Sequence, residues 1–402
     1  MGEAQVAAPS HVIGIGQRVA VGKPRSGRGQ TPGGTPTNMG PSAQASPGPP
    51  TEPPVPPDPP PPACTANVST LAAISSELAT ASGGEVICLA DGTYGALDLS
   101  GSPPGRVVVR SSHPGKATID GATMAGRNLT LERFAVSDEV QVQPGASGMR
   151  VAHNRISGGY FGVEAAPTTT VSVDDVAIVG NRLIGPFGED AIHLNRYHDG
   201  DGDGVGALVE GNEITGVREN GNHSDCLQTV WVGDHLVFRR NYLHDNRCQG
   251  FFVKDQASPV IGITVEDNLF VRNNEPCAPS APECGQPAYF QVFGPYSGFL
   301  MRRNTIWQGD VTTAFQEGTG ADTRIEANVV DRFWTSTDLS GIAYLDNTRC
   351  SREASGGLWP ALVPGETVDC SPPFNDPASD DFRLVGSARG VDWAPAELHF
   401  GP

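Results

Sequence analysis

Between Arg150 and Phe333 one arrangement of apolar and polar positions recurs seven times. It reads apolar, any, apolar, two residues, Asn, one residue, apolar. The asparagines are Asn154, Asn181, Asn212, Asn241, Asn268, Asn304 and Asn328. Three positions before them stand Val151, Ile178, Val209, Phe238, Val265, Met301 and Ile325, and two after stand Ile156, Leu183, Ile214, Leu243, Phe270, Ile306 and Val330. At the outer apolar position, five before, only Thr323 departs from the rule. Alternation before each Asn predicts a short strand with one buried face. The Asn predicts a bend where stacked amides hydrogen-bond along a ladder. Successive asparagines lie 24 to 36 residues apart, a period that predicts a solenoid with loops of variable length. Val107 and Val109 before Ser112, and Leu129 and Leu131 before Phe134, keep the spacing without the Asn and bring the count to about nine turns. At ~4.8 Å per strand that is a rod on the order of 40 Å long.

A second strand follows each bend. These segments run from Gly159 to Glu164, Glu189 to Asn195, Ser224 to Val230, Gln249 to Asp255, Ala288 to Phe293 and Ala314 to Glu317. Setting Val163, Ile192, Leu227 and Phe251 inward turns Glu164, His193, Gln228 and Phe252 outward. Ala166, Asn195, Val230 and Lys254 form the next outward column, and Asp190, Asp225 and Gln249 share one just before the strand. The longest insertions, 197–206, 217–223 and 273–285, flank these coils, where a solenoid usually binds its ligand.

The repeats resemble the right-handed parallel β-helix proteins, the pectin-lyase-like superfold. Leu71 to Ser82 reads as a short amphipathic helix, and Glu85 to Tyr94 resembles the first strand of polysaccharide lyases of this fold. Asp381 to Ser387 with Gly390 to Asp392 resembles their closing segment. The resemblance spans Cys64 to Gly401 and implies an all-β single-stranded right-handed parallel β-helix over residues 64–402, capped by the helix at one end and by loop-rich chain after Asn328 at the other. It implies no single chemistry, because the superfold carries lyases, hydrolases, epimerases and adhesins.

Residues 1–63 are rich in Pro and Gly, have few large apolar side chains and show no periodicity. They read as a disordered leader and an extended linker. No run of apolar residues is long enough for a transmembrane helix. The first residues lack the basic start and apolar core of a signal peptide, so export would need an upstream start or another route.

The eight cysteines point to an oxidising, extracytoplasmic setting, secreted or at the cell surface. Proximity suggests pairing Cys64 with Cys88, Cys277 with Cys284 and Cys350 with Cys370. Cys226 and Cys248 are either buried thiols or a pair linked across a loop. A formal net charge of −18 disfavours nucleic acid. It equally disfavours simple attraction to a polyanionic glycan, unless a local basic patch or a bound cation reverses the field.

The central coils gather Glu189, Asp190, His193, Asn195, His223, Asp225, Gln228, Arg247, Lys254 and Asp255 within a few strand spacings. For β-elimination a base removes the proton alpha to a uronate carboxylate while a cation or acid neutralises the developing charge. Lys254 is the candidate base, its pKa lowered by burial or by Arg247. Arg247, His193 or His223 would steady the carboxylate or protonate the leaving oxygen, with Asn195, Gln228, Glu189 and Asp255 binding the sugar. For hydrolysis Asp190 and Asp225 would flank the bond, inverting enzymes needing ~6.5–9.5 Å between the carboxyls. Ser224 to Gln228 resembles the Asp-Asp-Cys segment of polygalacturonases with Ser224 in place of the first Asp, and that family's Gly-His-Gly and Arg-Ile-Lys motifs have no match. In the chondroitinase B and alginate lyase family, which uses Lys, Arg and calcium, Lys254 and Arg272 match the Lys and Arg. Gln249 and Arg247 stand where that family has calcium-binding Glu.

Calcium has another candidate site. Asp199 to Glu210 fits D-x-D-x-D-G-x5-E, offering Asp199, Asp201, Asp203, the Val205 carbonyl and Glu210. The favoured function is an extracellular polysaccharide lyase acting as a monomer on an acidic, uronate-containing glycan. The alternatives are a hydrolase using Asp190 and Asp225, and a non-catalytic glycan-binding or surface protein.

Overall fold

The computed structural model describes residues 62–401, apart from 168–169, 219–223, 231–232, 255–259, 274–289, 294–295, 310–312, 317–321, 332, 336–341, 351–364 and 399–400. All of them belong to the compact unit that begins at Pro60. Residues 1–61 of the expected 1–63 leader, His223, Asp255 and the expected Cys277–Cys284 pair lie outside the described residues.

Three long parallel sheets coil around one core. The first sheet holds the strands before each bend and runs through twelve strands from Ala66–Val68 to Ile342–Leu345. The second holds those just after the bend, from Gly92–Tyr94 to Thr367–Val368. The third, from Leu97–Gly101 to Phe333–Thr335, is the outward-column sheet. The stack therefore exceeds nine turns. Ala66–Val68 and Val86–Leu89 extend it at one end and Ile342–Leu345 at the other.

The register follows the repeat. Val151, Ile178, Val209, Phe238, Val265, Met301 and Ile325 pair in succession and are buried. Their side chains form a narrow apolar core along the stack, whose burial is the main favourable term. At the bend, Asn154 Oδ1 accepts the Phe134 N–H, and from Asn181 onward each Asn Oδ1 accepts the backbone N–H of the preceding rung's Asn at 2.9–3.0 Å. Each Nδ2 donates to the next Asn Oδ1 at 2.9–3.1 Å. The ladder has an eighth member, Asn347, which receives both bonds from Asn328. The residue before each Asn turns the chain with positive φ, and six of these eight are not glycine: His153, Arg240, Asp267, Arg303, Ala327 and Asp346. The buried amide ladder offsets that left-handed strain, about 1 kcal/mol or more for each such residue.

A helix at Leu71–Leu78 buries Ile74 and Leu78 in the N-terminal end of the core. It is one turn shorter than expected. Part of the C-terminal segment packs along the side of the stack. Asp381–Leu384 pairs antiparallel with Phe374–Asp376, and Phe382, Val391 and Trp393 pack on Tyr242, Leu269 and Val271 of the second sheet. Gly390 N donates to Ala327 O, Val391 N to Thr305 Oγ1 and Trp393 Nε1 to Asp267 O. The chain thus straps back across successive rungs along the second sheet. Arg272, which the resemblance matched to a lyase arginine, is held beside this strap. Arg272 lies in the second sheet, bound to Asp245 and Asp380 and in contact with the Tyr242 hydroxyl. It follows a bend, so it points to the strap and not to the third sheet.

Disulfides Cys64–Cys88 and Cys350–Cys370 form as expected, and Cys226 pairs with Cys248. Among the described residues no helix is long and apolar enough to cross a membrane.

Candidate functional site

The third sheet carries the expected outward column. Gln141, Glu164, His193, Gln228, Phe252 and Gln291 stand in register on six consecutive strands. Their inward neighbours Val163, Ile192, Leu227 and Phe251 are buried. The observed strands are shorter than the sequence segments, Val163–Ala165, Ile192–Leu194 and Leu227–Thr229. The chain before each one is corner, and the corner supplies the chemistry.

Asp190 sits at that corner with 0% exposure, and its Oδ2 lies 2.7 Å from His193 Nδ1. Its other oxygen accepts the backbone N–H of Asp225 from the next rung at 2.8 Å. Asp225, also at 0% exposure, is bonded by Gln228 Nε2. The same i, i+3 geometry thus repeats on two rungs, Asp190 to His193 and Asp225 to Gln228. The imidazole packs on Phe161 at 4.7 Å between ring centroids, leaving its side chain 13% exposed. With Nδ1 committed to Asp190, Nε2 is the nitrogen left to meet a ligand.

Burial pushes the Asp190 carboxyl up to about 7, with the His193 hydrogen bond opposing. Burial alone would lower His193, but the bond to Asp190 and the charges of Asp190, Glu164 and Glu189 outweigh it and raise its pKa. Burial also raises Glu164. All three groups hold protons more tightly folded than unfolded. Their contribution to stability is therefore present at low pH and lost as pH climbs through about 7. Carboxylates shifted the other way, Glu85 and Asp245 at about 2, change only in more acidic solution. The melting temperature should rise between pH 8 and 6, and Asp190→Asn should flatten that slope. Equal slopes for parent and variant in thermal unfolding would refute the assignment.

Arg247 is half-buried on the C-terminal side, its N–H donating to Val217 O at 2.8 Å and its backbone bridging Arg218. Lys254 closes the strand Phe251–Lys254, in register with Phe293. Asn195 is buried, and among the described residues its Oδ1 has no hydrogen-bond donor. Glu189 is half-buried at the corner, its backbone N–H donating to the Tyr160 carbonyl at 2.7 Å. The sequence reading did not single out Tyr160, which stands beside Glu189 at this corner.

The Asp199–Glu210 loop is only partly the expected cage. Asp175, Asp199 and Asp201 bring carboxylate oxygens within 4.8 Å of one another. Asp203 accepts the Val205 N–H at 2.9 Å, and Asp199 accepts Gly202 and Gly204 at 2.8 and 2.9 Å. Glu210 closes a strand in register with Arg239, whose guanidinium binds it at 2.9 and 3.2 Å. A cation on the adjacent rung holds Glu210, so Asp175 replaces it in the cluster. Three carboxylates suit a hard, oxygen-seeking cation such as calcium.

A family model described as "Right handed beta helix region" matches residues 107–285. The chain is a right-handed parallel β-helix. No curated protein sequence matches it. Solved structures similar to the β-helix include a PL6 family polysaccharide lyase from Pseudopedobacter saltans, at 9% identity, TM-score 0.45, covering 82% of this chain and all of that one. The PL6 family alginate lyase AlyGC is similar at 14% identity and TM-score 0.38, over 83% of this chain. This chain spans only 57% of that enzyme's length. Pectate lyase Pel9A is similar at 14% identity and TM-score 0.38, over 78% of this chain and 84% of its own. Likeness of this size carries no residue roles from one β-helix to another.

Proposed function

We propose that the protein is an extracytoplasmic polysaccharide lyase that cleaves a uronate-containing glycan by β-elimination across the third sheet. The observation that carries this reading is His193, held through Nδ1 by a fully buried Asp190 with Nε2 left toward the outward face. A raised pKa suits His193 to the role of acid, delivering a proton to the leaving glycosidic oxygen. Lys254, two rungs on, abstracts the proton alpha to the carboxylate, and Arg247 on the same C-terminal side stabilises the enolate-like charge. The three disulfides among the described residues fit an oxidising compartment.

Hydrolysis by Asp190 and Asp225 fits less well. Both are at 0% exposure and spent on internal hydrogen bonds, so neither can flank a sugar bond or hold a water beside it. Calcium held by Asp175, Asp199 and Asp201 would anchor the loop beside these rungs, with the Asp203 and Glu210 carboxylates outside the cluster.

Pectate, alginate, chondroitin and neutral glycans, with calcium and after chelation, form the test. A lyase yields an unsaturated uronate with new ultraviolet absorbance. Reducing ends without that absorbance would mean hydrolysis, and neither signal would mean a binder. Melting temperature recorded in the same samples should rise with calcium, ~2.7 kcal/mol of stabilisation at a hundredfold excess over Kd. No shift would remove calcium.

A further inference from the structure

Charge is divided along the proposed site. Among the described residues, the strands of the third sheet from Leu97–Gly101 to Leu227–Thr229 contain no Lys or Arg. The corner on the N-terminal side of His193 presents Glu139 and Glu189, and the sheet presents Glu164. Gln141 ties Glu139 to Glu164, donating to both. Arg218, Arg247 and Lys254 all lie C-terminal to His193 along the stack.

On the acidic side stands Tyr160, the corner residue one rung before Glu189. Tyr160 is 51% exposed. The ring lies over Gly188, where a Cβ would come within 2.7 Å of Tyr160 Cδ2. The Tyr160 carbonyl accepts the Glu189 N–H at 2.7 Å, and Tyr160 packs edge-on to Phe161, the ring that packs on His193. Leaving a large aromatic half in water while fixing its orientation has a cost that core packing does not return. An apolar ring face with acceptors beside it matches a pyranose, which offers axial C–H groups to the ring and hydroxyls to the carboxylates.

We infer that Tyr160 is the platform of a subsite for an uncharged pyranose on the N-terminal side of His193, with Glu139, Glu164 and Glu189 accepting from its hydroxyls. A uronate there would face three carboxylates, the described third-sheet strands on that side offer it no Lys or Arg, and the His193 imidazole is already paired with Asp190; unlike charges are what select a partner. The inference rests on the proposed glycan-active face and narrows its substrate to a mixed polymer. The reacting uronate lies toward Arg247, and a neutral sugar lies over Tyr160.

The test uses the full chain carrying His193→Gln, so that no turnover interferes. Neutral tetrasaccharides of glucose, xylose and mannose, and tetramers of galacturonate and mannuronate, are titrated by calorimetry with saturation-transfer NMR. At least one neutral tetramer should bind. Tyr160→Ala should weaken it by about tenfold or more, and Tyr160→Phe should keep most of the affinity because the ring is what stacks. Circular dichroism checks that both variants fold. Binding of uronate tetramers alone, binding of no tetramer, or equal affinity in Tyr160→Ala would each overturn the subsite. The unsaturated-uronate assay on the parent decides the lyase reading separately, since Tyr160-dependent binding needs no turnover.

Discussion

Lys254→Ala should abolish β-elimination while leaving the coil folded and glycan affinity largely intact. Its backbone ends a third-sheet strand paired to Phe293, so removing the amine breaks no rung. General base catalysis contributes ~10²–10⁴-fold, and the loss in kcat should be at least that large with KM little changed. Lys254→Arg should not rescue, because guanidinium stays protonated near neutral pH. His193→Gln should cost a comparable factor, since the amide keeps a hydrogen bond to Asp190 but cannot deliver a proton. Asp225→Asn is the discriminating control. Asp225 lies behind the column, holding Gln228 and donating its own N–H to Asp190, so its charge positions neighbours and never meets the sugar. Its amide variant should retain measurable turnover. Full activity in Lys254→Ala with none in Asp225→Asn would replace elimination by carboxylate chemistry.

Much of this architecture was legible because the asparagine marks a place where the backbone has only one solution. A left-handed residue turns the chain, and a buried amide must satisfy the freed N–H and C=O groups. That requirement repeats, so it shows as a period. The inward alignment of Val163, Ile192, Leu227 and Phe251 followed from the same logic and matches the register. Asn347 escaped notice because Arg349 stands where the repeat calls for an apolar residue. Arg349 is nevertheless buried, in an ion pair with Glu366 at 3.3 Å.

The site was harder to read because it is built at corners, where nothing repeats. Gly159 to Phe161 scans as the start of a strand, but the chain there is a turn that displays Tyr160. The acidic loop satisfied a linear spacing, yet Glu210 answers to Arg239 on the neighbouring rung, 29 residues away. Arg272 likewise belongs to a strap whose path no periodicity encodes. Cys226 and Cys248 pair although they are not opposite one another in the ladder, since Asp225 bridges Gln249 and the loop closes the offset. Local spacing fixes what lies on one rung. Contacts between rungs depend on loop lengths, which vary.

The asparagine ladder should also dominate stability, and Asn212→Ala should be among the most damaging single substitutions in the protein. Asn212 Oδ1 accepts from Asn181 N at 2.9 Å and Asn181 Nδ2 at 3.1 Å. Its Nδ2 donates to Ile178 O at 2.9 Å and Asn241 Oδ1 at 3.0 Å. Truncation strands the Asn181 N–H in a fully buried corner that no water reaches. A buried donor left unsatisfied costs ~1–3 kcal/mol, and the other lost bonds bring the expected loss to about 3–5 kcal/mol. Position along the rod sets how that loss is expressed. In a solenoid each rung is stabilised chiefly by its two neighbours, so a defect at Asn212 weakens both halves. Asn347, the last asparagine of the ladder, has an Asn partner on one side only and on the other a longer bond to Glu366 Oε1 at 3.4 Å. Asn347→Ala should fray that end and leave the main unfolding transition close to the parent's. Urea denaturation followed by circular dichroism separates the two. Asn212→Ala should shift the midpoint of the main transition, whereas Asn347→Ala should add a small early phase. A midpoint for Asn212→Ala within ~0.5 kcal/mol of the parent, the range of ordinary surface substitutions, would show that the ladder is not what holds the rungs in place.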